Sequence, residues 1–184
     1  MEFNDDVFDV FPVLETDRLL LREIIPEDAK EIYEVRSDEE AMKYFGHNVY
    51  TSFAEADEMI MSVINGFKNK EGIRWGITLK GSDKLIGSGG IWRLMKQHLR
   101  GEIGYDLSPK YWKKGIMTEA LTEIIRFSFD NMNLHSIEAN LDPDNAASVR
   151  LLEKLGFEKE GHLKESYCLN NAFTDTGIYS LIKK

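Results

Sequence analysis

The segment from Gly101 to Ala120 has the residue types and spacing of an anion-binding site. It reads as a strand, Glu102 to Leu107, that runs into a turn around Gly115 and then into an amphipathic helix. A turn that opens a helix directs several unpaired backbone N–H groups, together with the positive end of the helix dipole, at one point. We therefore expect a phosphate group to bind at this turn.

Two familiar phosphate motifs do not account for the segment. A Walker loop requires Gly-Lys-Ser/Thr, whereas Gly115 is followed by Ile-Met. The glycines within residues 87–90 suggest a dinucleotide fingerprint, but the last glycine of that pattern would fall at Trp92. The phosphate ligand therefore belongs to another class.

A second segment, Asn145 to Phe157, contains the capping residues of a helix. Asn145 can cap the start of this helix, Ser148 lies in its first turn, and Gly156 is expected to take the left-handed conformation that ends it. On the residues alone, Asn145 and Ser148 need only satisfy the orphan N–H groups of the helix.

The two segments resemble the two signatures of the GNAT superfamily of N-acetyltransferases. The stretch Pro109-Lys-Tyr-Trp-Lys-Lys-Gly-Ile-Met-Thr-Glu-Ala120 is similar to the acyl-CoA loop of the ribosomal-protein acetyltransferase branch. Asn145 to Phe157 is similar to the helix that follows the family's fifth strand, and Glu15 to Arg22 looks like the first strand of the same branch. The resemblance implies an α/β fold in which helices flank a mixed, mostly antiparallel central sheet.

The resemblance also implies that the chain moves an acetyl group from acetyl-CoA to a primary amine. The backbone of Tyr105 and Leu107 would pair with pantetheine and polarise the acetyl carbonyl, and Asn145 would bind the pantetheine arm. The loop residues assigned to the cofactor are Trp112, Lys113, Lys114, Gly115, Met117 and Thr118.

Three loop residues depart from the family pattern. Trp112 stands where Arg or Gln often supplies a pyrophosphate donor, Lys113 where this branch often has Gly, and Met117 where Gly or Ala is usual. The backbone amides stay available, because a side chain can point away from the ligand. Lys113 and Lys114 either add charge at the phosphates or form a solvated pair on an exposed turn.

Direct transfer requires a neutral amine, hydrogen-bond donors for the carbonyl oxygen and help for the leaving thiolate. Glu102 opens the strand that runs to the loop, so we predict that it is the base, directly or through water. The alternative is a rim carboxylate that attracts a cationic amine. The family's usual acid, a Tyr on the second helix, is replaced by Leu152, which makes Ser148 the substitute candidate.

The cost of deprotonating the amine narrows the acceptor class. At pH 7.4, freeing an α-amine of pKa roughly 7.7 to 8.0 costs under about 1 kcal/mol, whereas a lysine at about 10.4 costs about 4 kcal/mol. A weak base therefore favours N-terminal amines, and the branch resemblance points to a protein N-terminus, as in a ribosomal protein. The alternatives are a small amine (polyamine, amino acid or antibiotic) and a catalytically silent sensor that binds acyl-CoA.

The elements that position these residues fall in a mixed order. A β-rich segment, Arg18 to Ile24, precedes a helix opened by Pro26, and the capping box Ser52 to Glu55 starts a helix that should end near Gly66. The later elements are strands at 75–79, 85–91 and 102–107, the helix after Gly115, a strand at 136–141, the helix after Asn145, and strands at 157–164 and 177–182. Local strand pairing followed by alternation with helices implies an α/β sheet of mixed direction.

Composition limits the cellular context and the partners. A chain of 184 residues with 42% hydrophobic content and no Pro/Gly/Ser-rich linker suits one domain over residues 1–184. The absence of a long apolar stretch and the single Cys168 favour a cytoplasmic protein without a membrane anchor. A formal charge of −9 argues against nucleic-acid binding, and four unclustered histidines argue against a metal site. The expected partners are acetyl-CoA and an amine, and a homodimer is left open.

Overall fold

The computed structural model describes residues 2–184, and its centre is one sheet of eight strands. In chain order the strands are β1 (Leu14–Glu15), β2 (Leu19–Glu23), β3 (Ile73–Leu79), β4 (Leu85–Met95), β5 (Arg100–Leu107), β6 (Ser136–Leu141), β7 (Glu158–Leu169) and β8 (Ala172–Ile182). Their order across the sheet is β1-β2-β3-β4-β5-β6-β8-β7. The β5–β6 pair is parallel and the other pairs are antiparallel, which confirms the predicted mixed, mostly antiparallel sheet.

The helices begin and end at residues that the sequence marks. They are α1 (Ala29–Arg36), α2 (Glu39–Met42), α3 (Phe53–Lys68), α4 (Ile116–Asp130) and α5 (Ala146–Lys154). A 3-10 turn opened by Pro26 precedes α1. The predicted capping box starts α3, where the carboxylate of Glu55 accepts a 2.9 Å hydrogen bond from the Ser52 amide. Gly156, with φ of 90°, follows α5 in the left-handed conformation that was predicted for it.

Helices cover both faces of the sheet, because successive strand residues point to opposite sides. Leu85 belongs to a hydrophobic cluster with Ile60 of α3, and α1 contributes to the same cluster. The next residue, Ile86, belongs to a larger cluster with Ile124 of α4 and Leu152 of α5. Helices α1 and α3 therefore lie on one face, and α4 and α5 on the other.

The sheet opens between β5 and β6. These strands share the pairs Arg100–Ser136, Gly101–Ile137 and Glu102–Glu138. Beyond Glu102, β5 pairs with β4 alone, and beyond Glu138, β6 pairs with β8 alone. The result is a V-shaped gap in the middle of the sheet, and the turn before α4 follows directly from the β5 side of it.

The structure corrects several boundary predictions: β3 and β5 each begin two residues earlier than predicted, and β4 runs on to Met95. Helix α3 runs past Gly66 to Lys68, since one glycine in a helix costs only about 1 kcal/mol. Strands β7 and β8 extend beyond their predicted limits into a largely exposed hairpin, whose polar residues show no alternation. The signal that was missed is the pair Asn170-Asn171, with φ of 51° and 62°, which forms the hairpin turn. Strand β1 and helix α2 are too short to show a period and were not predicted.

Candidate active site

The turn before α4 is built from two residues in the left-handed conformation. Lys113 has φ of 59° and Gly115 has φ of 74°. The strain at Lys113 explains why glycine is the usual residue of this branch there. The first α4 amide with an intrahelical acceptor is that of Glu119, which donates to the Gly115 carbonyl at 3.1 Å. The amides of residues 116–118 precede it, so they are directed out of the helix end as an anion site requires.

Arg18 and Glu119 hold this turn from the side of β2. Arg18 donates from Nη1 to the Lys114 carbonyl at 3.0 Å and from Nε to the Glu119 carboxylate at 2.6 Å. Burial alone would raise the pKa of Glu119, but hydrogen bonds from Thr16 and Arg18 lower it below its usual value, so the carboxylate stays charged. Sequence reasoning missed this pair, whose members are 101 residues apart. The sequence does show that Glu119 is an acidic residue in the first turn of α4, where the helix dipole favours a negative charge.

Side chains of the turn contribute less to the anion site than the resemblance implies. Trp112 donates from Nε1 to the Leu107 carbonyl at 2.8 Å, so its indole closes the turn back onto β5. Met117 is 8% exposed and packs in the core, which leaves only its amide for a ligand. Lys114 donates its ammonium to a carbonyl of the preceding turn at 2.8 Å. Lys113 is exposed and can reach a bound phosphate.

Tyr105 and Leu107 lie in the part of β5 that has separated from β6. The amide of Ser108 donates to the Ile86 carbonyl of β4 at 2.9 Å. The backbone groups of successive strand residues point to opposite edges of the strand. Because the Ser108 amide points to β4, the backbone groups of Leu107 and Tyr105 point to the other edge, into the gap. This orientation suits pairing with an extended ligand arm, although the Leu107 carbonyl already accepts the bond from Trp112.

The Tyr105 side chain lies beside the first turn of α5. Burial raises the pKa of its hydroxyl to about 12, and a hydrogen bond with Ser148 lowers it only in part. Asn145 accepts a 3.1 Å hydrogen bond from the Ser148 amide, so it caps α5 as predicted. Leu152 is fully buried in the core. The hydroxyl groups next to the gap are thus a Tyr105–Ser148 pair, and the tyrosine comes from a strand that sequence reasoning considered only for its backbone.

Glu102 lies at the closed end of the gap. It is the last β5 residue that pairs with β6, where it is opposite Glu138. Its carboxylate accepts a 2.8 Å hydrogen bond from Arg93, whose side chain is 74% exposed. This bond uses Oε2, so Oε1 is available to accept a proton from an amine while the pair stays formed.

A buried ionic cluster lies on the α1/α3 face of the sheet and was not predicted. Asp106 accepts hydrogen bonds from Arg36 at 2.7 Å and from Arg74 at 2.6 Å, and Ser88 donates its backbone and hydroxyl groups to the same carboxylate. Burial would raise the pKa of Asp106, but the two guanidinium groups lower it below its usual value. Asp106 is therefore a charged structural partner and a poor proton acceptor.

Trp92 connects this cluster to β5. The Cη2 edge of the indole packs against Gly104, where an added Cβ would overlap Cη2 and would lie 2.7 Å from Cζ2 and 2.9 Å from Cζ3 of the ring. The guanidinium of Arg74 lies 5.5 Å from the centre of the Trp92 ring. Trp92, Arg36 and Arg74 line a cavity of about 1060 Å³ that extends below α3. The cavity lies on the face opposite α4 and α5, and Trp92 separates it from Gly104 of β5.

The residues present fit acetyl-CoA as the donor. Directed amides at the start of α4 suit its phosphates, and the gap beside Tyr105 and Leu107 suits its pantetheine arm. Within residues 2–184, no group of three or more metal-ligating side chains occurs. Over the same residues, no helix has the length and apolar content that crossing a bilayer requires.

Comparison with known proteins agrees with this geometry. Residues 18–158 match the family model described as an acetyltransferase (GNAT) domain. The uncharacterized N-acetyltransferase YoaA of Bacillus subtilis is 39% identical over 174 residues, which cover 95% of this chain and 98% of that protein. The [ribosomal protein uS5]-alanine N-acetyltransferase of Escherichia coli is 39% identical over 79 residues, 43% of this chain and 41% of that one. The crystal structure of a GNAT-family acetyltransferase from Bacillus anthracis superposes with a TM-score of 0.82 at 27% identity, covering 93% of this chain and 98% of that one.

Proposed function

Because this chain belongs to the GNAT acetyltransferase family, it is an acetyl-CoA-dependent N-acetyltransferase, and we propose that it acetylates the α-amine of a protein N-terminus. The E. coli relative described above acts, as its name states, on an alanine of ribosomal protein uS5. That likeness supports a protein N-terminus, and a ribosomal protein is the first candidate.

The donor would be held mainly by backbone groups. The amides of residues 116–118 and the Lys113 ammonium bind the phosphates, and the β5 edge at Tyr105 and Leu107 binds the pantetheine arm. Asn145 uses its Oδ1 to cap α5, which leaves its amide nitrogen to contact the same arm. With the donor bound in this way, the thioester would lie in the gap, where the β5 amides would stabilise the carbonyl oxygen as it gains charge.

The transfer would be direct, from the thioester to the amine. The amine nitrogen forms a bond with the acetyl carbon, the carbon–sulfur bond breaks, and the nitrogen loses one proton while the thiolate gains one. Glu102 would take the first proton at Oε1, directly or through water, while Oε2 stays bound to Arg93. Ser148 would give the second and be reprotonated through Tyr105.

The observation that supports an α-amine most directly is that all three carboxylates near the gap are paired with arginine. Asp106 is held between two guanidinium groups, Glu102 is paired with Arg93, and Glu138 is paired with Arg100. A site with so little free base suits an amine that is already partly neutral. At pH 7.4 an α-amine costs under about 1 kcal/mol to deprotonate, against about 4 kcal/mol for a lysine side chain.

Release of coenzyme A thiol, measured with matched acceptors, tests the proposal. One peptide has a free α-amine and no lysine, the second has an acetylated α-amine and one lysine, and spermidine represents small amines. We expect kcat/KM for the first peptide to exceed that for the second by roughly 100-fold, since about 3 kcal/mol separates the two amines. Equal rates for the two peptides, or a preference for spermidine, would refute an N-terminal acceptor. Acetyl-CoA binding without turnover of any acceptor would instead indicate an acyl-CoA sensor.

A further inference from the structure

The ionic cluster below α1 contains one more positive charge than negative charge. Arg36 and Arg74 both point at the single carboxylate of Asp106, and their side chains are only 7% and 13% exposed. The third basic group is His47, whose Nε2 lies 2.9 Å from Nη1 of Arg36. Burial lowers the pKa of His47, so this ring is neutral at pH 7 and does not change the count.

Arg36 has an unused donor within this cluster. Its two terminal nitrogens bind His47 and Asp106, but Nε has no hydrogen-bond partner among residues 2–184, although it is buried. The guanidinium lies 4.6 Å from the ring centre of Phe45, so aromatic contact replaces water on one side. A buried, unpaired donor on a charged group is costly, and such groups usually have a ligand or an ordered water as partner.

The surplus charge lies at the inner end of the cavity. Arg36 and Arg74 line the cavity with Trp92, and Trp92 packs on Gly104 in the part of β5 that borders the gap. The exposed rim of the cavity carries charges of both signs, with Glu58 and Glu71 on one hand and Arg93 on the other. The cavity therefore has its surplus positive charge at the buried end, beside Trp92, and a mixed charge at its rim.

We propose that the inner end of this cavity binds a carboxylate of the acceptor, so that the enzyme selects amines that carry an anionic group nearby. This inference rests on the proposed acetylation of an N-terminal α-amine and deepens it. The carboxylate can belong to an acidic side chain that follows the N-terminal residue of a protein, or to the α-carboxyl group of a free amino acid. Polyamines lack such a group and would be repelled by the surplus charge at Arg36.

Matched acceptors that differ only in one carboxylate test the proposal in the wild-type enzyme. One pair is two C-terminally amidated peptides that begin Ala-Glu and Ala-Gln, and the other is free alanine and alaninamide. We expect kcat/KM to be at least tenfold higher for the anionic member of one pair, mainly through a lower KM. The pair that shows the effect identifies the source of the carboxylate. Equal kcat/KM within both pairs would overturn the proposal.

Variants then locate the effect. Arg36→Met removes the surplus positive charge and leaves Arg74 and Asp106 as a neutral pair. It should therefore abolish the tenfold preference for the anionic acceptor. Arg36→Lys keeps the charge and should retain part of the preference. Arg126→Met removes one positive charge from the exposed surface of α4, where Arg126 pairs with Glu123, and should leave the preference unchanged. A full preference in folded Arg36→Met protein would overturn the assignment to Arg36.

A binding measurement separates this inference from the proposed function. The N-acetylated Ala-Glu and Ala-Gln peptides are titrated calorimetrically into wild-type enzyme with coenzyme A present, so that no turnover is needed. Tighter binding of the Glu peptide supports the anion site even if no acceptor is acetylated, in which case only the proposed function has failed. Equal affinity of the two peptides excludes a side-chain carboxylate, and equal affinity of N-acetylalanine and N-acetylalaninamide in the same titration refutes the anion site as a whole.

Discussion

Replacing Gly104 by alanine tests whether Trp92 is locked against β5 at the border between the cavity and the gap. An alanine Cβ at this position would overlap Cη2 of the indole and would lie 2.7 Å and 2.9 Å from the two carbons beside it, whereas ordinary contacts begin at 3.4 Å. The indole cannot bend, and the Arg74 guanidinium lies 5.5 Å from its ring centre. The ring must therefore shift as a unit and disturb the cluster around Asp106.

The expected cost follows from this overlap. Overpacking by one methyl group destabilises a core by about 1–3 kcal/mol. For a chain of this length the melting temperature should fall by roughly 2–12 °C. Since Trp92 lines the cavity, the KM for the acceptor should rise more than the KM for acetyl-CoA, for which we propose a site at the α4 turn and the gap.

Thermal unfolding and initial rates measure both effects, with Gly161→Ala as the matched control. Gly161 also lies in a strand, but its added Cβ would be 3.4 Å from the nearest atom, so its stability should change by less than about 0.5 kcal/mol. A double-mutant cycle with Trp92→Ala isolates the contact. If Gly104→Ala costs as much in the Trp92→Ala background as in the wild type, the indole is not the obstacle and the argument fails.

Four further outcomes are expected. Millimolar acetyl-CoA should raise the melting temperature of the wild type, because it binds only the native state, and a cooperative transition that does not move would contradict donor binding at the α4 turn. Glu102→Gln should lower kcat by roughly 100-fold with little change in acetyl-CoA affinity, and a near-normal rate would reduce Glu102 to a rim charge. Ser148→Ala should lower kcat about tenfold, or about 1.4 kcal/mol, and a silent Ser148→Ala would assign thiolate protonation to solvent. Asp106→Asn should cost about 3–5 kcal/mol at pH 7, because it leaves two buried cations unpaired. The pKa of Asp106 is lowered in the folded state, so its contribution to stability is present above its unfolded pKa of about 3.9 and is lost as the pH falls through the folded value. Chemical unfolding from pH 7 to pH 3 should therefore show a decreasing difference in stability between the wild type and Asp106→Asn. A difference that stays constant with pH would contradict the charged pairing.

The sequence predicts those parts of the site that are local along the chain. Gly115 and Gly156 mark helix ends, because a left-handed residue at such a position is visible in the residue type itself. Asn145 is predicted as a helix N-cap because its side chain can accept a bond from a free amide, and the structure confirms the bond from the Ser148 amide. The turn before α4 could thus be placed within a residue or two.

The ionic cluster could not be read in this way. Arg36 and Arg74 lie 70 and 32 residues from Asp106, and the three come from one helix and two strands. No periodic pattern distinguishes them from ordinary surface charges, and only the packed sheet shows that they share a buried site. The Tyr105–Ser148 contact has the same origin, since it joins a strand and a helix on opposite sides of the gap.

The gap between β5 and β6 has a consequence for the lifetime of the protein. The two halves of the sheet are held edge to edge by the pairs from Arg100–Ser136 to Glu102–Glu138, so local opening there exposes strand edges on both sides. A donor that lies along β5 makes this opening less frequent, and proteases act on the opened state. We therefore expect the enzyme to be degraded faster when acetyl-CoA is scarce, which would tie its abundance to the metabolic state of the cell without any separate regulator.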